Sequence, residues 1–269
     1  MKENYWGYKG KQVVIDGAAS GMGLAATEML LELGAEIYAL DVKEVPVKTK
    51  KYIPVDLGKK ASIDEALQQL PRKVDSIFCC AGLPGPPFSD VDTVMVNFVG
   101  HRHLIESLLP RLDAGGAIAI ISSLGGANWR ANLSKYRELL ATPGFDEARA
   151  WLKADPARLA AIPGGGYTVS KECINAYVRM KAGELIEKGI RINSLSPAST
   201  ATPLLSAFIA AHGEEMIKSY AIGRYATAEE MGHPLVFLNS NMASFINGVD
   251  LQIDNGFMAI AETQMLSEA

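Results

Sequence analysis

What most constrains this chain is a rhythm: short apolar runs alternate with longer stretches of helical periodicity along nearly its whole length. Val13–Ile15, Ile37–Leu40, Ile77–Phe78, Ile118–Ile121, Ile192–Leu195 and Val249–Ile253 read as strands, and a further short one precedes Asp56. Between them, Leu24–Leu33, Ala61–Leu70, Val91–Leu109, Tyr167–Glu187 and Ala228–Leu238 carry helical patterns. Strands alternating with helices predict βαβ units and a doubly wound parallel sheet with helices on both faces. No repeat, low-complexity tract or linker breaks the pattern. The 269 residues, 48% of them apolar, are therefore expected to form one domain, residues 1–269, around one sizeable core.

One segment departs from the rhythm. Between Ser123 and Tyr167 lie 43 residues without a convincing strand. Leu133, Tyr136, Leu139 and Leu140 share one helical face, as do Ala148, Trp151 and Leu152. Asp155-Pro156 reads as an N-cap followed by proline at the first helical position, opening a short helix through Leu159 and Ile162. The expectation is a helical insertion of two or three short amphipathic helices over about residues 127–163.

Several function classes are disfavoured. A net charge of −4 and a pI near 5.7 do not suit a nucleic-acid binder, which needs a basic stripe to neutralise phosphates. Three cysteines, two of them adjacent at Cys79 and Cys80, form neither a disulfide framework nor a CxxC metal motif. His101 and His103 fall on different sides of any helix, so no metal is expected. The N-terminal stretch has no apolar signal region, and no apolar run reaches the roughly 18 residues of a membrane span. A reducing, cytoplasmic setting without membrane association is expected.

The first loop, DGAASGMG, follows a strand and opens a helix. There, Gly17, Gly21 and Gly23 allow backbone to approach a pyrophosphate, whose charge suits a helix N-terminus. The GxxxGxG spacing alone also fits an ordinary tight turn. Asp41 sharpens the reading: it ends the second strand about 20 residues on, where a carboxylate accepts hydrogen bonds from ribose hydroxyls. It would repel a 2′-phosphate, and Val42 offers no compensating charge, so NAD is expected over NADP. Asp56 and Leu57, after the third strand, are candidates to flank the adenine.

Further along stand Asn97 in VNFVG, Ser123 in IISS, YTVSK at Tyr167–Lys171 and SPASTAT at Ser196–Thr202, followed by GR, EE, FLNS and NGVDLQIDNG. With the glycine loop and Asp41, this ordered set resembles the short-chain dehydrogenase/reductase family from about residue 10 to 257. The resemblance implies a Rossmann-type fold and reversible hydride transfer between a nicotinamide cofactor and an alcohol or ketone. It implies cofactor contacts at Gly17, Ala19, Ser20, Gly21, Met22, Gly23, Cys80, Ala81, Gly82, Tyr167, Lys171, Pro197, Ala198, Thr200 and Thr202. It also implies homodimers or homotetramers, with the helices bearing the tyrosine and asparagine often at the interface.

The chemistry supports this independently. Alcohol oxidation needs a base, and a phenol near pKa 10 is a poor one unless its anion is stabilised. Lys171, one helical turn beyond Tyr167, is expected to acidify the phenol. Ser123, with Ser122 as its rival, is expected to hold the substrate oxygen. The resemblance gives Asn97 the role of anchoring a proton-carrying water; it could equally be an ordinary polar helix residue. Thr200 and Thr202 have helix capping as their alternative, and Cys173 is expected to pack.

Three departures from the family pattern stand out: Asp16 where a small hydroxyl commonly begins the glycine motif, Cys80-Ala81-Gly82 in place of an NAG-type turn, and Pro197-Ala198 in place of PG. The insertion, together with Thr202-Pro203-Leu204-Leu205, is similar to the 3α-hydroxysteroid dehydrogenase/carbonyl reductase subgroup. That similarity implies a bulky, apolar cyclic, aromatic or hydroxysteroid-like substrate beneath a mobile lid over about residues 200–222. Two other readings stay open: a dinucleotide-binding sensor without turnover, and an epimerase or dehydratase that regenerates its cofactor. The intact Asn97, Ser123, Tyr167 and Lys171 set favours the dehydrogenase.

Overall fold

The computed structural model describes residues 5–268. Its strands are β1 (Gln12–Asp16), β2 (Glu36–Asp41), β3 (Lys51–Pro54), β4 (Val74–Cys79), β5 (Leu112–Ile121), β6 (Arg191–Pro197) and β7 (Asp250–Ile253). They form one parallel sheet in the order β3-β2-β1-β4-β5-β6-β7. The order reverses between β1 and β4, which opens a crevice at their C-terminal ends, the place where such sheets bind ligands.

Helices α1 (Gly21–Glu32) and α11 (Ala228–Asn239) cover one face. Val13, Ile15, Ile37 and Phe78 project into that layer, which α1 closes with Ala26 and Leu30. The α1–α11 contact is close because Gly232 faces Ala25 and Ala26: a Cβ there would lie 2.8 Å from the Ala26 nitrogen. The other face is covered by α2 (Lys60–Gln69), α3 (Asp90–Val94), α4 (His101–Leu108) and α8 (Gly165–Leu185). The chain closes with α9 (Pro203–His212), α10 (Glu214–Ser219) and α12 (Phe257–Glu268).

The predicted helix over Val91–Leu109 is divided. A π turn, Met95–Gly100, separates α3 from α4 and contains Asn97. The His101 N–H bonds the Phe98 carbonyl, while the His101 ring Nδ1 lies 2.9 Å from the Asn97 carbonyl. Periodicity carries no signal for such a change of register.

The insertion folds as α5 (Trp129–Leu140), α6 (Phe145–Ala154) and α7 (Ala157–Ala160). Pro156, not Asp155, occupies the cap position of α7, and Asp155 instead pairs with the Arg158 side chain at 3.1 Å. Tyr136 and Leu139 are fully buried, with Leu133, Leu140 and Trp151 packed against the same core. The insertion lies on α8 and on the Asn97 turn. Arg102 anchors it: the buried guanidinium donates to the carbonyls of Leu139 and Gly144 at 3.2 and 3.0 Å and to the Thr142 hydroxyl at 2.9 Å.

Candidate active site

A groove of about 710 Å³ runs across the crevice between β1 and β4. One wall is the glycine loop. Gly17 and Gly21 have φ of +66° and +56°, a region that disfavours a side chain. A Cβ on Gly17 would collide with the Ala81 backbone, and one on Gly23 with the Gly17 carbonyl, so the loop, β4 and α1 pack only because these positions are glycine. Ser20 gives α1 no side-chain cap, which leaves its first-turn N–H groups available at the groove.

Asp41 stands at the far end. Its Oδ2 accepts the Ala19 N–H and its Oδ1 the Lys43 N–H, both at 2.9 Å, so the carboxylate is held with lone pairs to spare. Val42, Asp56, Leu57 and the turn Cys80–Gly82 also line the groove. Lys43 and Lys59 line it as well; Lys59 is neutralised by Asp56 at 2.8 Å, and Lys43 is a positive charge that the reading of Val42 alone missed. Pro197 and Thr202 reach the groove, while Ala198 and Thr200 line a second cavity. Thr202 stands at the N-cap position of α9, but neither threonine hydroxyl caps a helix: Thr200 bonds the Ala198 carbonyl and Thr202 the Thr200 carbonyl. Ala19 contributes through its N–H to Asp41, not through the groove lining.

The groove ends at Tyr167 and Lys171. Burial raises the Tyr167 phenol above its ordinary value, opposed by a hydrogen bond with Ser123. The Lys171 ammonium donates to the Ile121 carbonyl at 2.9 Å, and burial pulls it down to about 8 despite Cys80 and Asp16. Burial penalises phenolate and ammonium alike and outweighs the other influences on the half-buried Tyr167; the Lys171 ammonium, 5.7 Å from the phenol ring centroid, is near enough for its charge to favour the phenolate. Ser123 accepts the Gly125 N–H at 3.1 Å, so its own hydroxyl proton is turned toward Tyr167 and not spent on that bond. Its rival Ser122 is buried and donates to the Lys171 carbonyl at 3.1 Å.

Asn97 is buried beside this pair. Its amide clamps both backbone groups of Leu83, at 2.7 and 3.0 Å, and donates to Ser170 at 3.2 Å. Cys173 packs in the core. Among the described residues, one group of ligand-type side chains is close-set: Asp16, Cys79 and His101, with atoms within 4.8 Å. No described helix is long and apolar enough to cross a membrane.

The second cavity, about 320 Å³, adjoins the groove through Met22, Tyr167, Pro197, Thr202 and Leu204. Ser123 and Tyr167 meet apolar residues of α9 and α10 there: Leu205, Phe208, Met216 and Ile217. Phe208 packs edge-on to Tyr167 with ring centroids 5.0 Å apart, and His212 stacks on Phe208 at 6.2 Å. No residue between 127 and 163 lines either cavity, so the insertion covers an outer face.

Residues 11–137 match the family model described as short chain dehydrogenase, and residues 157–258 the one described as enoyl-(acyl carrier protein) reductase. The chain is 32% identical over 250 residues to coniferyl-alcohol dehydrogenase of Pseudomonas sp. (strain HR199 / DSM 7063), covering 91% of this chain and 96% of the relative. The chain belongs to the short-chain dehydrogenase family. A second family member, 3-alpha-hydroxysteroid dehydrogenase/carbonyl reductase of Comamonas testosteroni, is 32% identical over 256 residues, covering 92% of this chain and 96% of that one. Among solved family structures, the NADH complex of 3-alpha-hydroxysteroid dehydrogenase from Pseudomonas sp. B-0831 matches with a TM-score of 0.80 at 26% identity, over 94% of this chain and 98% of that one. The stretch between the two family-model matches, residues 138–156, falls within the insertion.

Proposed function

We propose that this short-chain dehydrogenase uses NAD(H) to interconvert a bulky, apolar secondary alcohol and its ketone. The observation that carries the reading is Tyr167 at the junction of two cavities, one suited to a dinucleotide and one lined by apolar side chains. The groove fits the cofactor: uncapped N–H groups of α1 would hold its pyrophosphate, Asp41 its adenosine ribose, and Lys171 its other ribose. When bound, the nicotinamide supplies the hydride acceptor for oxidation and the donor for reduction. The NADH-bound structural neighbour and the alcohol- and carbonyl-directed names of the relatives support the same choice.

Tyr167 takes the hydroxyl proton of the alcohol or returns it to the ketone. Ser123 holds the oxygen with its hydroxyl proton, which faces Tyr167. Lys171 keeps two N–H donors beyond the one spent on Ile121. Because burial raises the phenol, oxidation should gain rate as pH rises above neutral, and reduction should lose it. The lid is α9 and α10. The chain self-associates through a surface other than the α4–α8 face that the insertion covers, in a reducing cytoplasm that suits its three free thiols.

The test is NADH absorbance during oxidation of cyclic, aromatic and steroidal alcohols by the purified protein. Tyr167→Phe should keep NADH binding and lose nearly all turnover. A wild-type protein that binds NADH yet oxidises no alcohol would favour a sensor, and substantial activity in the Tyr167→Phe protein would refute the assigned base.

A further inference from the structure

Asp16 and His101 form a pair that the assigned chemistry does not use. The Asp16 carboxylate, fully buried at the end of β1, accepts the Cys80 and Ala81 N–H groups at Oδ1, at 2.9 and 2.7 Å. A small hydroxyl could bridge to this turn without charge. A carboxylate buried here is costly unless matched, and His101 matches it, with Nε2 3.1 Å from the same oxygen.

The other ring nitrogen, Nδ1, lies 2.9 Å from the Asn97 carbonyl. Both neighbours are acceptors. A singly protonated ring would turn a lone pair toward one of them, so this geometry calls for a proton on each nitrogen. Asn97 in turn clamps Leu83 and Ser170, the latter within the Tyr167–Lys171 segment of α8. A continuous set of hydrogen bonds thus joins the groove wall at Cys80–Ala81 to the active-site helix.

We propose that Asp16 and His101 are positioning residues: a buried carboxylate–imidazolium strut that fixes the Cys80–Gly82 wall and the Asn97 turn relative to Lys171. This rests on the dehydrogenase reading for its consequence but not for its existence. The other titratable groups facing the pair are Cys79 at the end of β4 and Cys80 just beyond it, whose thiols burial and then Asp16 push up, and Lys171 of α8, which Asp16 helps to keep protonated.

The test is a cycle of Asp16→Thr, His101→Ala and the double variant, with Asp16→Asn and His101→Gln as conservative changes. Each single variant should weaken NADH binding about tenfold or more and lower Tm. The double variant, with a hydroxyl and no imidazole, should recover most of both losses. Loss of the Lys171 proton above about pH 8 should weaken NADH binding, and Asp16→Asn should move this fall to lower pH and His101→Gln to higher pH; a merely structural strut would move neither. Imidazole ¹⁵N spectra should show both His101 nitrogens protonated at pH 7. Additive losses, unmoved pH profiles or a singly protonated ring would overturn the proposal, as would stoichiometric zinc bound through Asp16, Cys79 and His101. The Tm and ¹⁵N readings need no turnover, so they stand even if no alcohol is oxidised and the dehydrogenase reading fails.

Discussion

Lys171 illustrates how function is built at the expense of stability. Its folded pKa falls from 10.5 to about 8 because burial disfavours the ammonium. The sign follows from linkage: below pH 8 the folded state carries a charge it would rather shed, and this cost is relieved as pH rises from 8 toward 10.5. Lys171→Met should therefore raise Tm near pH 7, by up to about 2 kcal/mol of stability after the lost Ile121 bond is counted. The advantage over wild type should vanish by about pH 10 in thermal melts, and turnover should be lost throughout. Asp41 carries a second residue-scale prediction. NAD should be preferred at least about tenfold in kcat/KM, roughly 1.4 kcal/mol. Because Lys43 already lines the groove, Asp41→Ala alone should admit NADP, and adding Val42→Arg should extend the shift. A wild-type preference for NADP would show that Asp41 does not face the ribose. Tyr167, Lys171 and Asp41 were legible in the sequence because each is placed by a local rule, helical spacing or a strand end. Asp16 and His101, 85 residues apart, meet only through the fold, and no local pattern announces them.

At the scale of elements, the strand-helix alternation was readable because parallel strands buried on both faces are written as continuous apolar runs. The π turn was not, since Val91–Leu109 keeps its apolar spacing through the change of register. The insertion's helices followed from their stripes, but a stripe does not say what it covers. That was decided by Arg102 of α4, whose bonds to the end of α5 and to Gly144 tie the insertion to α4, and by Glu172 of α8, which accepts the Asn132 amide at 2.8 Å. Arg102→Leu would leave the carbonyls of Leu139 and Gly144 without this donor. It should cost about 3 kcal/mol in chemical denaturation, with little change in NADH affinity. Replacing residues 131–162 by a short glycine-containing loop should bare the apolar α8 face and change the assembly state in light scattering. A shortened protein with its stability and assembly state unaltered would show that this face needs no cover.

Across the whole molecule, stability is unevenly distributed, and the weakly held part lies over the second, apolar cavity. The sheet and the helices on its two faces hold nearly all of the buried apolar side chains, whereas α9 buries none of its residues and α10 only Ile217. Half-buried residues of α9 and its packing on α10 hold it in place, and Phe208 makes an edge contact with Tyr167 in the second cavity. A segment with few buried contacts opens at little free-energy cost and is the natural element to move when a ligand binds. A substrate ring replacing Tyr167 as the partner of Phe208 would close α9 over the cavity and exclude water from the proton transfer. Hydrogen exchange over residues 203–219 should therefore be fast in the free protein and in the NADH complex. It should slow only when NADH and an unreactive bulky alcohol are both present. Phe208→Ala should raise KM for bulky alcohols about tenfold with a smaller effect on kcat, the pattern expected when binding shared by ground and transition states is removed. Slow exchange over residues 203–219 in the free protein would instead make α9 a fixed wall of the pocket, with selectivity set by its shape alone.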